Sequence, residues 1–451
     1  TNTGDVKVEV NKSGSYDDIN SVKINQNGSS EKHFEALGGA FVVQSYILKE
    51  NDGGQAKVEI LSGDKAVSTL VMKDGKFIKD GKELRAYHND VWTCVRFERD
   101  KNGNTVLRIN GKDADKFTLA GSVDGIRISA SDTVLWFDDV TAYNTYEFAD
   151  YPSKPVQNNL KDDYTAIMSV CSLWHEGTHF GWDCVSAYDE AKLALGYYDE
   201  GIPEVADWEI KFLVEHGVDF QHFCWYVSSS DKATPIKTPR LADALNNGYM
   251  NAKYSDMQKF SIMFENSSSS AKSAQDFKET IWPYWVDWYF TDSRYMSIDN
   301  KAVLTIYTYS KFVEQMGGED KAKEVIDFMK TEIKKYGYDG MLVFFSDAGA
   351  NSENNKKMKD VGADGLVSYT FGKNSYSSQY QIDSMNVAYK AGNLDLVPSV
   401  GVGFNSIGWT GVRTPNATTE EHTKVLEWAR DTYLPMLAKR DSANAWKGKF
   451  V

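Results

Sequence analysis

The sequence is short of cysteine, of surplus positive charge and of long apolar runs, and each shortage narrows what the protein can be. Four cysteines occur in 451 residues, at Cys94, Cys171, Cys184 and Cys224. No pair has metal-ligand spacing, and Cys171 and Cys224 fall inside apolar runs, where a buried thiol acts as a small hydrophobe. Cysteine therefore says little about redox compartment. Lys and Arg number 50 against 64 Asp and Glu, a formal net charge of −14. Such a chain lacks the broad basic surface that a phosphate backbone requires, so no nucleic-acid partner is expected. The same balance disfavours acidic polymers and anionic membrane surfaces. No apolar run reaches the roughly 18 residues of a membrane span. Thr1-Asn2-Thr3-Gly4-Asp5 has neither the basic start nor the apolar stretch of a secretory signal. Phosphate loop, dinucleotide fingerprint, nucleophile elbow and zinc-protease helix are all missing.

Aromatic residues are what the chain has in quantity. With 12 Trp, 25 Tyr and 22 Phe, it is far too rich in buriable rings to be disordered. Its length allows two or three domains, or one small domain plus a barrel of about 250 residues or more.

The first 150 residues alternate apolar and polar positions in short runs, such as Ala56-Lys57-Val58-Glu59-Ile60-Leu61 and Thr105-Val106-Leu107-Arg108-Ile109. Between the runs stand Asp74-Gly75, Asp80-Gly81, Asn102-Gly103 and Asn110-Gly111. Asn-Gly and Asp-Gly favour hairpin turns because both residue types tolerate positive φ. This pattern predicts an all-β sandwich of jelly-roll type over residues 1–148. Residues 149–163, with Tyr151-Pro152-Ser153-Lys154-Pro155, form a linker.

From 164 to 451 strand-like and helix-like segments alternate. Strands are expected at 166–174, 218–227, 260–264, 303–309, 340–345, 365–371 and 396–402. Helices are expected between them, and the last at 419–438. Seven β-then-α units without a nucleotide-binding turn predict a TIM-type (β/α)8 barrel. An eighth strand would be expected to begin after Val451, where the given sequence stops, and a seven-stranded or open barrel is the alternative.

Barrel chemistry is carried at the C-terminal ends of strands. Here those ends hold carboxylates set among aromatic residues, a combination suited to sugars, whose rings stack on Trp and Tyr and whose hydroxyls bond to Asp, Asn and His. Glycoside hydrolysis needs two carboxyl groups. Glu265, directly after an apolar strand, is the leading catalytic candidate, and Asp347 is the second. Trp174, His175, Glu176, Asp183, His222, Trp225, Tyr226, Asn266, Tyr307, Asn405, Trp409 and Arg413 are the candidate substrate-binding residues. Simpler uses compete with these roles. Ser346, Asp347 and Asn266 suit helix N-caps, whereas Glu is a poor one. His175 and His222 lack a third ligand at metal spacing and read as hydrogen-bonding residues. Trp282, Trp285 and Trp288 have helical spacing and are expected to pack against the barrel. Asp138 and Asp139 are either calcium ligands or an ordinary strand-end pair. No other cofactor is required.

Two segments carry a resemblance. Leu195-Gly196-Tyr197-Tyr198-Asp199 with Pro203-Glu204-Val205, followed by Glu215-His216-Gly217-Val218-Asp219-Phe220 and Phe223-Cys224-Trp225-Tyr226, resembles the glycoside hydrolase family 99-like barrel. That group also includes domains associated with bacterial polysaccharide biosynthesis. Phe264-Glu265-Asn266 is similar to the family's third strand ending, and Val400–Asn405 with Arg413 to its seventh, where Asp often stands at the place of Asn405. The resemblance covers about residues 164–451 and implies a sugar-active barrel. The family's eighth strand carries a Trp-Asn-Glu motif that this chain does not reach, which leaves open a second catalytic carboxylate beyond Val451 and a chain inactive by itself. Leu135-Trp136-Phe137-Asp138-Asp139-Val140 resembles the last strand of laminin-G or concanavalin-like sandwiches. Together these readings lead to an expected glycoside hydrolase acting on an oligosaccharide or polysaccharide, monomeric, and extracellular or at the cell surface. The alternatives are a non-catalytic glycan-binding or adhesion protein and a glycosyltransferase-like domain.

Overall fold

Paired left-handed residues fold the N-terminal sequence back on itself. Asp74-Gly75, Asp80-Gly81 and Asn110-Gly111 have φ of 50° and 71°, 51° and 77°, and 51° and 70°. Positive φ at both central positions is what a two-residue type I′ hairpin demands. The strands they and longer loops connect are β1 (Asn2–Val10), β2 (Asn20–Leu37), β3 (Phe41–Lys49), β4 (Gln55–Ser62), β5 (Lys65–Lys73) and β6 (Lys76–Lys79). They continue as β7 (Lys82–Ala86), β8 (Thr93–Arg99), β9 (Asn104–Ile109), β10 (Lys112–Thr118), β11 (Val123–Ser131) and β12 (Leu135–Asn144). The computed structural model describes residues 1–10, 20–145, 150–157, 167–170, 182–189, 195–227, 235–267, 271–347, 351–372, 374–440 and 446–447.

The chain divides into two compact units. One comprises Thr1–Tyr151, Ser228–Arg240 and Asp276–Asp292, and the other Pro152–Val227, Leu241–Gln275 and Ser293–Val451. In the first, the strands form an antiparallel sheet in the order β10-β9-β8-β3-β12-β2-β11-β4-β5-β6-β7, with β1 on β2. Every second residue points inward, as in Ala56, Val58 and Ile60 or Thr105, Leu107 and Ile109. Leu107 of β9 and Phe77 of β6 stand near opposite ends of that order yet share one core with Phe41 and Leu135. The ends also meet directly, with the Lys79 ammonium 4.0 Å over the Phe117 ring and Lys82 3.6 Å from Asp115. The sheet is therefore wrapped on itself as an antiparallel β-sandwich with barrel-like closure, as its hairpin pattern led us to expect.

The segment Asp276–Asp292 belongs to this unit. Its Trp288 is 1% exposed and donates Nε1–H to the Trp92 carbonyl at 2.9 Å. The same ring stacks on Tyr284 and Tyr46 at centroid distances of 5.3 and 6.3 Å. Asp287 receives the His88 amide at 2.9 Å and pairs with its ring Nδ1 at 2.6 Å. Lys112 donates to the Asp287 carbonyl at 2.6 Å. Of the tryptophan run expected to pack on the barrel, Trp288 thus finds its partners on the β-rich unit, to which the whole segment belongs. A helical repeat of aromatic rings shows that a face is buried but does not name the surface that buries it.

The second unit is built on parallel strands: β13 (Ile167–Val170), β14 (Phe220–Trp225), β15 (Lys259–Phe264), β17 (Lys301–Ile306), β18 (Gly340–Ser346) and β19 (Gly365–Val367). The short β16 (Ser297–Ile298) lies antiparallel on β17. A single parallel bridge, Leu366 to Leu396, extends the ladder beyond β19. Helices Pro203–Glu215, Tyr309–Met316, Glu319–Glu332, Ser352–Asp360, Ser378–Ala391 and Thr419–Trp428 lie between or after the strands. β14, β15 and β17 are short apolar runs, almost wholly buried, as a parallel sheet covered on both faces requires. Phe345 packs on Phe312 of a helix, whereas its neighbour Phe344 points to the opposite face and meets Trp446 at 5.3 Å. The architecture is α/β with a parallel sheet, and among the described residues no pairing returns from Leu396 to β13. No described helix is long and apolar enough to cross a membrane.

Candidate active site

At the C-terminal ends of β17, β18 and β19 the parallel unit opens into a cavity of about 350 Å³. Its walls include Tyr307, Thr308, Ser346, Asp347, Ser368 and Tyr369. Register brings them together. The Tyr307 amide donates to the Phe264 carbonyl at 2.9 Å and the Asp347 amide to the Val367 carbonyl at 2.7 Å, so the ladder continues past the strand ends to the rim. Tyr307 and Tyr369 meet edge to face at 5.8 Å. Tyr369 keeps 43% of its surface exposed, a ring available to a ligand. On the far wall Tyr309 packs on Phe345 at 5.3 Å and donates to Glu319 at 3.1 Å. Burial, reinforced by the Glu319 carboxylate, pushes this phenol up to about 12, so it stays a neutral donor.

Two of the residues singled out in the sequence, Tyr307 and Asp347, line this cavity. Glu265 is not among its lining residues. It is 5% exposed, and its Oε1 accepts from the Ser267 amide at 3.1 Å and from the Ser267 hydroxyl. Asn266 is fully buried and clamps Thr308, donating to its carbonyl at 2.9 Å and accepting from its amide at 2.8 Å. This clamp fixes the start of helix Tyr309–Met316 and with it one edge of the cavity.

His222 lies in mid-strand on β14, its Nδ1 2.7 Å from the Ser261 hydroxyl. Burial pushes its imidazole down to about 4, so the ring is neutral near pH 7, and Nε2 has no partner among the described residues. Trp225 is buried against Phe264 at 6.0 Å, and Tyr226 beside it is half-buried. Asn405 is half-buried and accepts from the Ile407 amide at 3.2 Å, while Arg413 is exposed. Trp174, His175 and Glu176 lie outside the described residues, as do the side chains of Asp183 and Trp409.

Asp138 and Asp139 hold a cation, but it is an ammonium group of the chain itself. Lys237 Nζ stands 2.7 Å from Asp138 and 3.0 Å from Asp139, and the lysine side chain is 1% exposed. Burial alone would lower this ammonium; the hydrogen bonds and charges of the two aspartates outweigh it and hold Lys237 above its ordinary value. Lys237 thus supplies the positive charge between the two carboxylates, which are paired as a strand-end pair is.

Sequence reasoning passed over Ser368 and Tyr369 as site residues, although both stand at a strand end. The signal lay in the alignment of neighbouring strands, which puts them level with Asp347. Lys237 offered no local signal at all.

Residues 190–399 match the model of a family described as "Glycosyltransferase WbsX". The match covers just under half of the chain and contains Tyr307, Asp347, Tyr369 and Glu265. It supports a glycan-active domain. The most specific part of the family 99 resemblance, residues 195–226, falls in the same span, but the matched family is described by transfer rather than hydrolysis. No curated protein matches the chain. Among solved structures, the globular domain of T. cruzi calreticulin is similar at 9% identity over 32% of this chain and 80% of that one, with a TM-score of 0.27. Cip1, a cellulose induced protein, is similar at 12% over 32% and 87%, with a TM-score of 0.26. The botulinum neurotoxin serotype G binding domain is similar at 11% over 33% and 44%, with a TM-score of 0.24, so less than half of that domain's length is matched. Likenesses of this size decide neither fold nor function.

Proposed function

We propose that the α/β unit is a glycan-active enzyme whose substrate enters the cavity at the ends of β17, β18 and β19. The observation that carries this reading is the position of that cavity inside the span that matches a glycan-active family. Tyr307 and Tyr369 offer ring faces for the apolar side of a sugar, and Ser346, Ser368 and Thr308 offer hydroxyls to its rim. Among the described lining residues Asp347 is the one carboxylate, and it is the group we assign to proton transfer. In a hydrolytic reaction Glu265 is the candidate for the second carboxyl. The family description favours a second reading, glycosyl transfer, in which a sugar hydroxyl rather than water attacks. Both readings take the parallel sheet as a (β/α)8-type barrel and the protein as a monomer that meets its glycan outside the cell.

The test is a glycan array followed by product analysis with and without nucleotide-sugar donors. Hydrolysis releases a new reducing end without a donor, whereas transfer needs the donor and lengthens the acceptor. Asp347→Asn is expected to lower turnover about 100-fold or more, the usual contribution of a positioned acid or base. Unchanged turnover in that variant would remove Asp347 from the chemistry, and glycan binding without any turnover would leave the adhesion alternative.

A further inference from the structure

We propose that Glu31, His33 and Asp64 form a binding site for a divalent transition-metal ion of the zinc type on the β-rich unit. Glu31 and His33 stand two apart on β2 and so project from the same face of the strand. Asp64 comes from the turn between β4 and β5. One imidazole nitrogen and two carboxylate oxygens lie within 4.8 Å of one another. Three donors bound at about 2.0–2.2 Å from one ion stand at most roughly 4.3 Å apart, so a small rotation of exposed side chains closes the set. Imidazole with carboxylate is a donor set suited to zinc and its neighbours in the transition series, whereas calcium takes oxygen ligands.

The surroundings support these donors. Gly125 of β11 pairs with His33 in the ladder, and a Cβ built on it would lie 3.1 Å from His33 Nδ1. The missing side chain leaves the imidazole its room beside β11. Arg127, two residues along the same strand, holds Glu31 through Oε2 and lies 3.7 Å from Glu59. That contact orients Glu31 from behind, as outer-shell partners of a metal ligand do, and leaves Oε1 facing His33 Nε2 at 2.8 Å. Asp124 accepts from the Gly63 amide at 2.8 Å and so anchors the turn that carries Asp64. The three ligands leave coordination positions to water, so the ion would clip β2 to the β4–β5 turn.

The experiment titrates the full-length chain with zinc chloride by calorimetry and, in parallel, with cobalt chloride by visible absorption. His33→Ala and Asp64→Asn are compared after circular dichroism has confirmed their fold, which exposed positions should leave intact. The proposal expects the wild type to bind one more zinc equivalent than His33→Ala, and Asp64→Asn to bind that equivalent at least tenfold more weakly. Gly125→Ala, which crowds the imidazole, should weaken it too. Equal stoichiometry in wild type and His33→Ala would overturn the proposal, as would a preference for calcium that survives loss of the histidine.

Discussion

Asp287 and the pair Asp138 and Asp139 show how single residues decide what a segment does. Asp287 takes the His88 amide and ring together, and its hydrogen bond raises the imidazole above its ordinary value against the opposing effect of burial. A raised folded value means that protonated His88 stabilises the fold fully below about pH 6.5, and that this share is lost as pH rises through the folded value. The ring is 42% exposed, so the effect is modest. His88→Gln should lower Tm by about 1–3 °C near pH 6, with the gap narrowing toward pH 9; a gap independent of pH would refute the charge-based account. Lys237 is the sharper case. Lys237→Met leaves two carboxylates facing each other in a half-buried site and should cost about 3 kcal/mol in denaturant unfolding. A cost below about 1 kcal/mol would mean that the pair is solvated and dispensable. Neither partnership was legible in the sequence, because each joins residues far apart along the chain, 199 positions for His88 and 99 for Lys237.

Individual elements were far easier to read. The Asp-Gly and Asn-Gly turns carry their own conformational reason: both residues of Asp74-Gly75, Asp80-Gly81 and Asn110-Gly111 take the positive φ those sequences favour, whereas at Asn102-Gly103 the glycine alone does. Gly75 lets that reason be measured in isolation. A Cβ there would meet nothing nearer than the Tyr87 carbonyl at 3.9 Å, so crowding contributes little. Gly75→Val should therefore cost about 1–2 kcal/mol from backbone strain alone. A cost near zero, read from the shift in denaturant midpoint, would show that the hairpin relaxes to another turn. Six of the seven strands expected in the second half appear as parallel strands, because a short apolar run between polar loops has few alternatives in an α/β chain. The seventh is reduced to the bridge at Leu396. The cavity was less legible than the strands around it. It depends on Tyr307, Asp347 and Tyr369 ending level with one another, and register between strands is set by packing rather than by any one segment.

At the scale of the whole molecule, the sequence pointed to the wrapped β-sheet and the parallel α/β sheet, each through its own periodicity. The order in which the chain visits the two units is harder to see in it. Residues Ser228–Arg240 and Asp276–Asp292 belong with Thr1–Tyr151, although the chain between them builds the other unit. Lys237 and Trp288 are thus late arrivals: the β-rich unit's ion pair and its tryptophan anchor on Trp92 are encoded far downstream of the strands they complete. On the ribosome, where synthesis runs at about 5–20 residues per second, the twelve strands are made well before those two side chains exist. The nascent sheet must wait, with Asp138 and Asp139 unneutralised and Trp92 uncovered, until residue 292 has been added. A gene cut after Tyr151 would make that waiting state permanent.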